Sequence, residues 1–509
     1  MTFEIVFVLL SLLGMVAALI ADKMRPGMIL FSVVVLFLCA GILTPKEMLE
    51  GFSNKGMITV ALLFLVSEGI RQSGTLGQVI KKLLPQGKTT VFKAQLRILP
   101  SVAFISAFLN NTPVVVIFAP IIKHWAKSVN LPATKFLIPL SYVTILGGIC
   151  TLIGTSTNLV VHGMILEAGF EGFSMFELGK VGIFIAIAGI IYIFLFSKRL
   201  LPDARPDTAV PDEEVEEGEK LHRVEAVLGA RFPGINKKLK DFNFQRHYGA
   251  EVKEIKTRNG QRFVSNLEEV VLHEGDTFIP TWGESSVFVL LTNGNEPDTT
   301  GKKKRWFALL LLVLMIVGAT VGELPITKEM FPDIKLDMFF FVSITTIIMA
   351  WTNLFPARKY TKYISWDILI TIACAFAISK AMVNSGVADS VAKFIIGLSD
   401  DYGPHVLLAM VFIITNLFTE LITNNAAAAL AFPLALSISA QLGVSPTPFF
   451  VVICMAASAS FSTPIGYQTN LIVQGIGNYK FTDFVRIGLP LNIITFLISI
   501  ILIPLIWNF

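Results

Sequence analysis

Two asparagine pairs stand in apolar sequence, Asn110-Asn111 in FLNNTPVVVIFAP and Asn424-Asn425 in ITNNAAAALAFP. About forty residues beyond each lies a Gly- and Thr-rich stretch ending in Thr-Asn-Leu, GGICTLIGTSTNLVVHG at 147–163 and SFSTPIGYQTNLIVQG at 460–475. Amide oxygens beside main-chain carbonyls freed by a broken helix make a cage of hard ligands suited to Na⁺. Each break also exposes the N–H groups and positive dipole end of a new helix start, which attract an anion. Thr155, Ser156 and Thr157 either cap such a start or touch the ligand. No Lys or Arg lies within 98–122, 136–166 or 442–479. A dianion held there would be uncompensated, and Na⁺ bound beside the Asn pairs would supply the missing charge. A cation channel would instead use rings of Asp or Glu, so the pattern reads as an anion symporter.

These residues recur in register, which says how they must be positioned. Asn158 and Asn470 are 312 residues apart, and Gly154/Gly466, Thr157/Thr469, Leu159/Leu471, Val161/Val473 and Gly163/Gly475 share that spacing. The Asn pairs are 314 apart, and LFLVSEGIRQSG at 63–74 aligns with AFAISKAMVNSG at 375–386. Polar, Gly-broken segments at matching places of a duplicated membrane chain point to a secondary transporter with its site at the repeat interface.

Composition agrees. Of 509 residues 54% are hydrophobic and only 15% charged, and mean hydropathy is +0.69, so the chain is a polytopic membrane protein. A net charge of +4, with Lys and Arg concentrated in loops, calls for no nucleic-acid partner. The four Cys (39, 150, 374 and 454) lack metal or redox spacing and read as small buried hydrophobes.

Charge-free runs predict spans near 3–21, 28–44, 56–70, 181–197, 306–322, 337–354, 365–383 and 487–507. Between them, 98–122 and 405–441 read as re-entrant hairpins with tips at Asn110 to Pro113 and at Asn424-Asn425, and 136–166 and 446–477 as discontinuous helices. Basic loops place the N- and C-termini outside and make the second half inverted relative to the first. The expected domains are a first transmembrane repeat (1–200), an acidic linker (201–220), a cytoplasmic module (221–295) and a second repeat (305–509), with 201–305 cytoplasmic. Within the module RVEAVLGA, AEVKEIKT, EEVVLH, DTFIPTW and SVFVLL read as strands, with a helix near 235–242.

Glu68 and Lys380 hold equivalent repeat positions and could pair or lie near membrane interfaces. Glu420, four residues before the second tip, is the one acid of its hairpin; intramembrane acids are functional or structurally partnered. His162, matched by Gln474, reads as structural. No Ser/His, HExxH or paired-Asp arrangement appears in the apolar segments, so no enzyme is expected.

With these motifs in place, the chain resembles the divalent anion/sodium symporter family, whose members carry Ser-Asn-Thr signatures at two opposed hairpin tips. Asn110-Asn111-Thr112 and Asn424-Asn425-Ala426 occupy the signature positions; Gly154-Thr155-Ser156 and Gly466-Tyr467-Gln468 match the companion loops. The resemblance implies an inverted-repeat, elevator-type α-helical transporter, a homodimer in the cell (inner) membrane. One Na⁺ is expected at Asn110, Asn111 and Gly154 and another at Asn424, Asn425 and Gly466. The anion would lie between the tips, contacted or shaped by Asn111, Thr112, Thr155, Ser156, Asn425, Ala426, Tyr467 and Gln468. Asn in place of Ser, Ala in place of the second Thr, and Ser-Thr and Gln-Thr in place of the Pro-Pro of many dicarboxylate carriers look more like the sulfate-permease-like branch. The insert resembles a TrkA-C regulatory module on GINKKLKDFNFQRHYGAEVKEIKTRNG and LHEGDTFIPTWG, a small α/β domain; some relatives bind a cyclic dinucleotide, and others act as dimerisation or gating domains. The expected function is sodium-coupled import of a small divalent anion, sulfate first. The alternatives are a dicarboxylate (succinate-type) symporter, an arsenite-type oxyanion exporter, and a membrane sensor whose output is the insert.

Overall fold

The computed structural model describes residues 3–21, 23–85, 87, 89–203, 302–322, 324–330, 334–397 and 403–509; within the insertion it describes 222–223, 226–227, 238–239, 250–256, 262–263, 267–272 and 277–282. Two compact units result, Met1–Asp207 with Gly301–Phe509, and Thr208–Thr300.

In the first half of the larger unit the helices are α1 (Phe3–Ala21), α2 (Pro26–Cys39), α3 (Pro45–Glu50), α4 (Lys55–Gln72), α5 (Thr75–Leu83), α6 (Val91–Ser106), α7 (Asn111–Ser128), α8 (Thr134–Gly148), α9 (Ser156–Glu167) and α10 (Gly179–Leu200). After the insertion come α11 (Lys302–Gly322), α12 (Pro325–Met330), α13 (Met338–Trp351), α14 (Trp366–Asn384), α15 (Val387–Gly397), α16 (Gly403–Leu421), α17 (Asn424–Leu442), α18 (Thr447–Ser458), α19 (Gln468–Gly477) and α20 (Phe481–Ile506). Eight helices among the described residues are long and apolar enough to cross a membrane, and the unit is a polytopic α-helical membrane protein.

Local chemistry sets the boundaries. Thr44 and Glu47 form a capping box that starts α3. The Asn54 side chain accepts from Gly56 N at 2.7 Å to start α4, and Lys55 forms an ion pair with Asp337, the cap of α13. Both hairpins and both breaks are present. α6 and α7 are joined by a turn at 107–110, and α16 and α17 by Ile422 and Thr423. Residues 149–155 unwind between α8 and α9, and 459–467 between α18 and α19. The first turn lies earlier than expected: Asn111, Thr112 and Pro113 already form the first turn of α7, where a proline has no N–H to lose. Four short helices, α3, α5, α12 and α15, occupy stretches between the expected spans and hairpins.

The interior divides in two. The larger apolar cluster runs through α4, α6 to α10, α16 and α18 to α20. The smaller joins α1, α2 and α14 to Ile422, Ala426, Ala427 and Leu430. The alanines at the start of α17 let neighbouring backbones approach closely, as in membrane helix packing.

The insertion forms a five-stranded antiparallel sheet from β1 (His222–Arg223), β2 (Ala226–Val227), β3 (Ala250–Lys256), β4 (Arg262–Phe263) and β5 (Thr277–Trp282), in the order β1-β5-β3-β4 with β2 also on β5. Ile255 pairs with Phe278, and a register shift falls between Val252 and Glu254. Ile255 and Leu272 form its buried centre. EEVVLH is not a strand: 267–269 form a 3₁₀ turn and Val271 bridges Lys238. The expected helix at 235–242 lies, apart from 238 and 239, outside the described residues, as do SVFVLL and the acidic linker beyond Asp203.

Candidate functional site

Each hairpin tip meets the break of the opposite half. At the first tip Ser106 Oγ donates to Asn111 Oδ1 at 2.7 Å. Asn111 Nδ2 donates across to the hydroxyl of Tyr467, 2.8 Å away in the second break, and Thr112 Oγ1 donates to Gln468 Oε1 at 3.2 Å. At the second tip Asn425 Oδ1 accepts from Ser156 Oγ at 3.3 Å and from Thr157 Oγ1 at 3.4 Å, both in the first break. Asn424 Nδ2 donates to Thr157 Oγ1 at 2.6 Å. The two breaks also touch each other. Thr155 Oγ1 and the Tyr467 hydroxyl share a 2.7 Å hydrogen bond across 312 residues, the repeat spacing itself, so equivalent positions meet on the pseudo-twofold axis. Asn111, Asn425, Thr155 and Tyr467 are all buried.

Four helix starts point into this junction, and three have no side-chain cap. Asn110, Thr155 and Tyr467 precede α7, α9 and α19 without capping them, whereas Thr423 accepts from Ala426 N at the start of α17. The first-turn N–H groups of α7 and α9, and those of Gln468 and Thr469 in α19, where Asn470 N already bonds Tyr467 O at 3.0 Å, therefore have no side-chain cap and remain available for an anion.

A repeated main-chain frame holds the breaks in place. Asn158 Nδ2 donates to Thr151 O at 2.9 Å and Gly148 O at 3.5 Å; Asn470 Nδ2 donates to Thr463 O at 3.1 Å and Ser460 O at 2.8 Å. Thr151 Oγ1 bonds Ala107 O in the first hairpin, and Thr463 Oγ1 bonds Glu420 O in the second. Gly154 and Gly466 sit where this frame is tightest. A Cβ on Gly154 would press on Gly148 O and Ala107 O, and one on Gly466 on Ser460 Oγ and Thr419 O. Those carbonyls and the Asn oxygens are neutral hard donors of the kind Na⁺ takes. Among the described residues no group of three or more His, Cys, Asp or Glu could hold a metal ion.

Not every expected residue faces the junction. Asn110 lines a small cavity of about 10 Å³ with Ser67, Phe108, Ile153 and Ser156, room for about one water. Ala426 is packed in the smaller apolar cluster, so Thr112 alone brings a hydroxyl from that repeat position. Glu68 does not pair with Lys380, which is exposed; its carboxylate is taken by Arg71 at 2.6 Å and Gln72 at 2.5 Å, one turn along the same helix. His162 Nδ1 is buried without a partner.

Three contributors escape a reading by motif. Ser106 orients Asn111. Ser141, in α8, donates its hydroxyl to Asn470 Oδ1 at 2.7 Å and lies 2.8 Å from Thr469 Oγ1. Asn492, in α20, donates to Glu420 Oε1 at 2.6 Å and Ser462 Oγ at 2.9 Å. Glu420 Oε1 also accepts from Ser462 N at 2.9 Å, so this acid fastens the second break to hairpin and final helix together. Extending the 314-residue spacing, which sets Ser106 opposite Glu420, would have flagged the first.

The sequence pattern described as citrate transporter matches residues 16–441 and 334–508. "Uncharacterized transporter sll0640" of Synechocystis is 29% identical, over 94% of this chain and 93% of its own. In Chlamydomonas reinhardtii, "Probable sodium/sulfate cotransporter 3" is 23% identical over 93% of this chain and 85% of its own length. "Sodium/sulfate cotransporter 2" is 31% identical over 53% of this chain and 31% of its own. Among solved structures, the YdaH transporter of Alcanivorax borkumensis shares the fold, with a TM-score of 0.53 and 13% identity, covering 99% of this chain and 98% of that one. The family match takes in both hairpins and both breaks, and the chain belongs to the citrate transporter family of membrane transporters.

Proposed function

We propose that the protein is a sodium-coupled symporter importing a small divalent anion, sulfate before dicarboxylate, by an elevator movement. One observation carries the reading: uncapped starts of three helices meet between two Asn tips, in segments with no Lys or Arg. Such a junction attracts an anion but cannot neutralise a dianion, so the charge must arrive with co-bound cations. Na⁺ is held at Asn110, Asn111 and Gly154 and at Asn424, Asn425 and Gly466. The anion lies among Asn111, Thr112, Thr155, Ser156, Asn425, Tyr467 and Gln468. The Tyr467 phenol on the axis narrows the space and favours a compact anion. Relatives named sodium/sulfate cotransporters support the same choice. A carboxylate substrate is the second reading, favoured by the family's citrate description. In this reading the protein is a cell-membrane homodimer with its insertion cytoplasmic, a TrkA-C-like regulatory module that could take a cyclic dinucleotide.

Proteoliposomes with an imposed inward Na⁺ gradient should accumulate radiolabelled sulfate, and Asn111→Ala and Asn425→Ala should each lower uptake about tenfold or more, the equivalent of losing one charge-assisted hydrogen bond. Succinate and citrate taken up in preference to sulfate would establish the second reading. Uptake indifferent to Na⁺ and to both substitutions would overturn both.

A further inference from the structure

A second anion-binding feature lies at the ends of α10 and α20. Lys198 and Arg199 form the last turn of α10, and Arg486 stands near the start of α20, which packs along it. With Lys135, residues 200–202, Asp203 and Asp483 they line a cavity of about 300 Å³. Its floor is already internally paired. Lys135, 2% exposed, donates to Lys198 O at 2.7 Å and to Leu201 O, and meets the Asp203 carboxylate at 3.0 Å. Asp483, 3% exposed, accepts from Lys480 N at 2.8 Å. At the rim, Lys198, Arg199 and Arg486 are exposed, and none has an acidic partner among the described residues. Four basic and two acidic side chains leave the cavity with a charge of +2.

The same two helices turn apolar at once. Leu195 and Phe196 on α10 and Leu489 and Ile493 on α20 are exposed within one or two turns of the rim cations. In a membrane protein such side chains face acyl chains. A soluble anion would have no use for them, whereas a phospholipid would fill both parts, its phosphate against the guanidinium groups and its tails along the helices. Solvated cations at a helix end are the ordinary alternative, but they need neither a recess nor a buried, internally bonded Lys135 and Asp483 beneath them.

We propose that this cavity holds the phosphate head group of an anionic phospholipid. The site bears on transport through α20. Asn492, less than two turns beyond Arg486, donates to Glu420 and Ser462, and Asn492 Oδ1 accepts from Phe461 N at 3.3 Å. A lipid that steadies the start of α20 therefore steadies the second break.

The test uses the full-length protein in detergent and in nanodiscs, with native mass spectrometry and thermal unfolding as readouts. Phosphatidylglycerol is compared with phosphatidylcholine and with inorganic phosphate. Phosphatidylglycerol alone should remain bound and raise the unfolding temperature. The triple change K198Q/R199Q/R486Q should weaken retention about a hundredfold, and R199Q alone, at an exposed position, about fivefold. Equal retention by R199Q and the parent protein, or phosphatidylcholine bound as well as phosphatidylglycerol, would overturn the proposal. Equal protection by inorganic phosphate would identify a site for a soluble anion instead. None of these outcomes depends on which substrate the carrier moves.

Discussion

Hairpin 106–111 and hairpin 420–425 occupy equivalent places in the two halves, yet they are fastened differently. Ser106 donates one short hydrogen bond to Asn111 of its own tip. Glu420 turns away from Asn425 and accepts from Asn492, from Ser462 N and, at 3.4 Å, from Ser460 Oγ. By contrast, the main-chain staples from Asn158 and Asn470 are the same on both sides. The duplicated chain has kept what sets the path of the backbone and let the side chains around it diverge. The first tip is tied to the site through Tyr467; the second hairpin is locked onto the final helix.

The largest expected effect tests that lock. Glu420→Ala strands two buried N–H groups, Ser462 N and one of the two on Asn492 Nδ2, whose other bond to Ser462 Oγ remains, at about 1–3 kcal/mol each, whereas Ser106→Ala strands only Asn111 Oδ1, at about 1 kcal/mol. Thermal unfolding in detergent should therefore show a drop for E420A at least twice that for S106A. Equal drops would mean that the two hairpins are held alike and that the acid serves some other end.

The duplication was legible because Gly154, Asn158 and their partners are fixed by backbone contacts that admit no other residue, so their spacing survives in both copies. Most spans were legible from hydropathy alone. The short helices α5 and α15 were not: Leu76 and Ile80 make a narrow apolar stripe in α5, and Lys81 and Lys82 within the same nine residues make it read as loop. The tip at 107–110 was placed too late because Pro113 reads as a breaker, although the first helical turn accepts it. The crossing of each tip to the opposite break had no local signal, since Asn111 and Tyr467 are 356 residues apart. Charge pairing failed for Glu68 because Arg71, one turn away, outcompetes any distant lysine. The strand expected at EEVVLH had the right composition, but a turn claims its first residues.

A second test sharpens the comparison at the axis, where Thr155 in one half faces Tyr467 in the other. Tyr467→Thr gives both breaks the same residue and empties the volume of a phenol ring. If the ring excludes larger anions, uptake of succinate or citrate relative to sulfate should rise about tenfold, the scale on which a pocket discriminates by size. Asn111 also loses its acceptor, so absolute rates should fall. An unchanged ratio would place the size limit elsewhere and leave the two breaks equivalent for selectivity.

The smallest expected effect concerns the staples. Asn470 Oδ1 receives the Ser141 hydroxyl, while Asn158 Oδ1 is buried with no partner. The repeat equivalent of Ser141 is Ile453, fully buried and without a hydroxyl to give. Ser141→Ala would make the halves alike by stranding Asn470 as well. The loss should be about 1 kcal/mol, the net worth of one buried neutral hydrogen bond, read as a small fall in unfolding temperature with Na⁺ dependence of uptake unchanged. No measurable loss would mean that a staple tolerates an idle oxygen in either half, since the geometry rests on its donated N–H bonds alone. A loss several times larger would mean that the second half depends on Ser141 to hold its break, and that the first half has another source of support for Asn158.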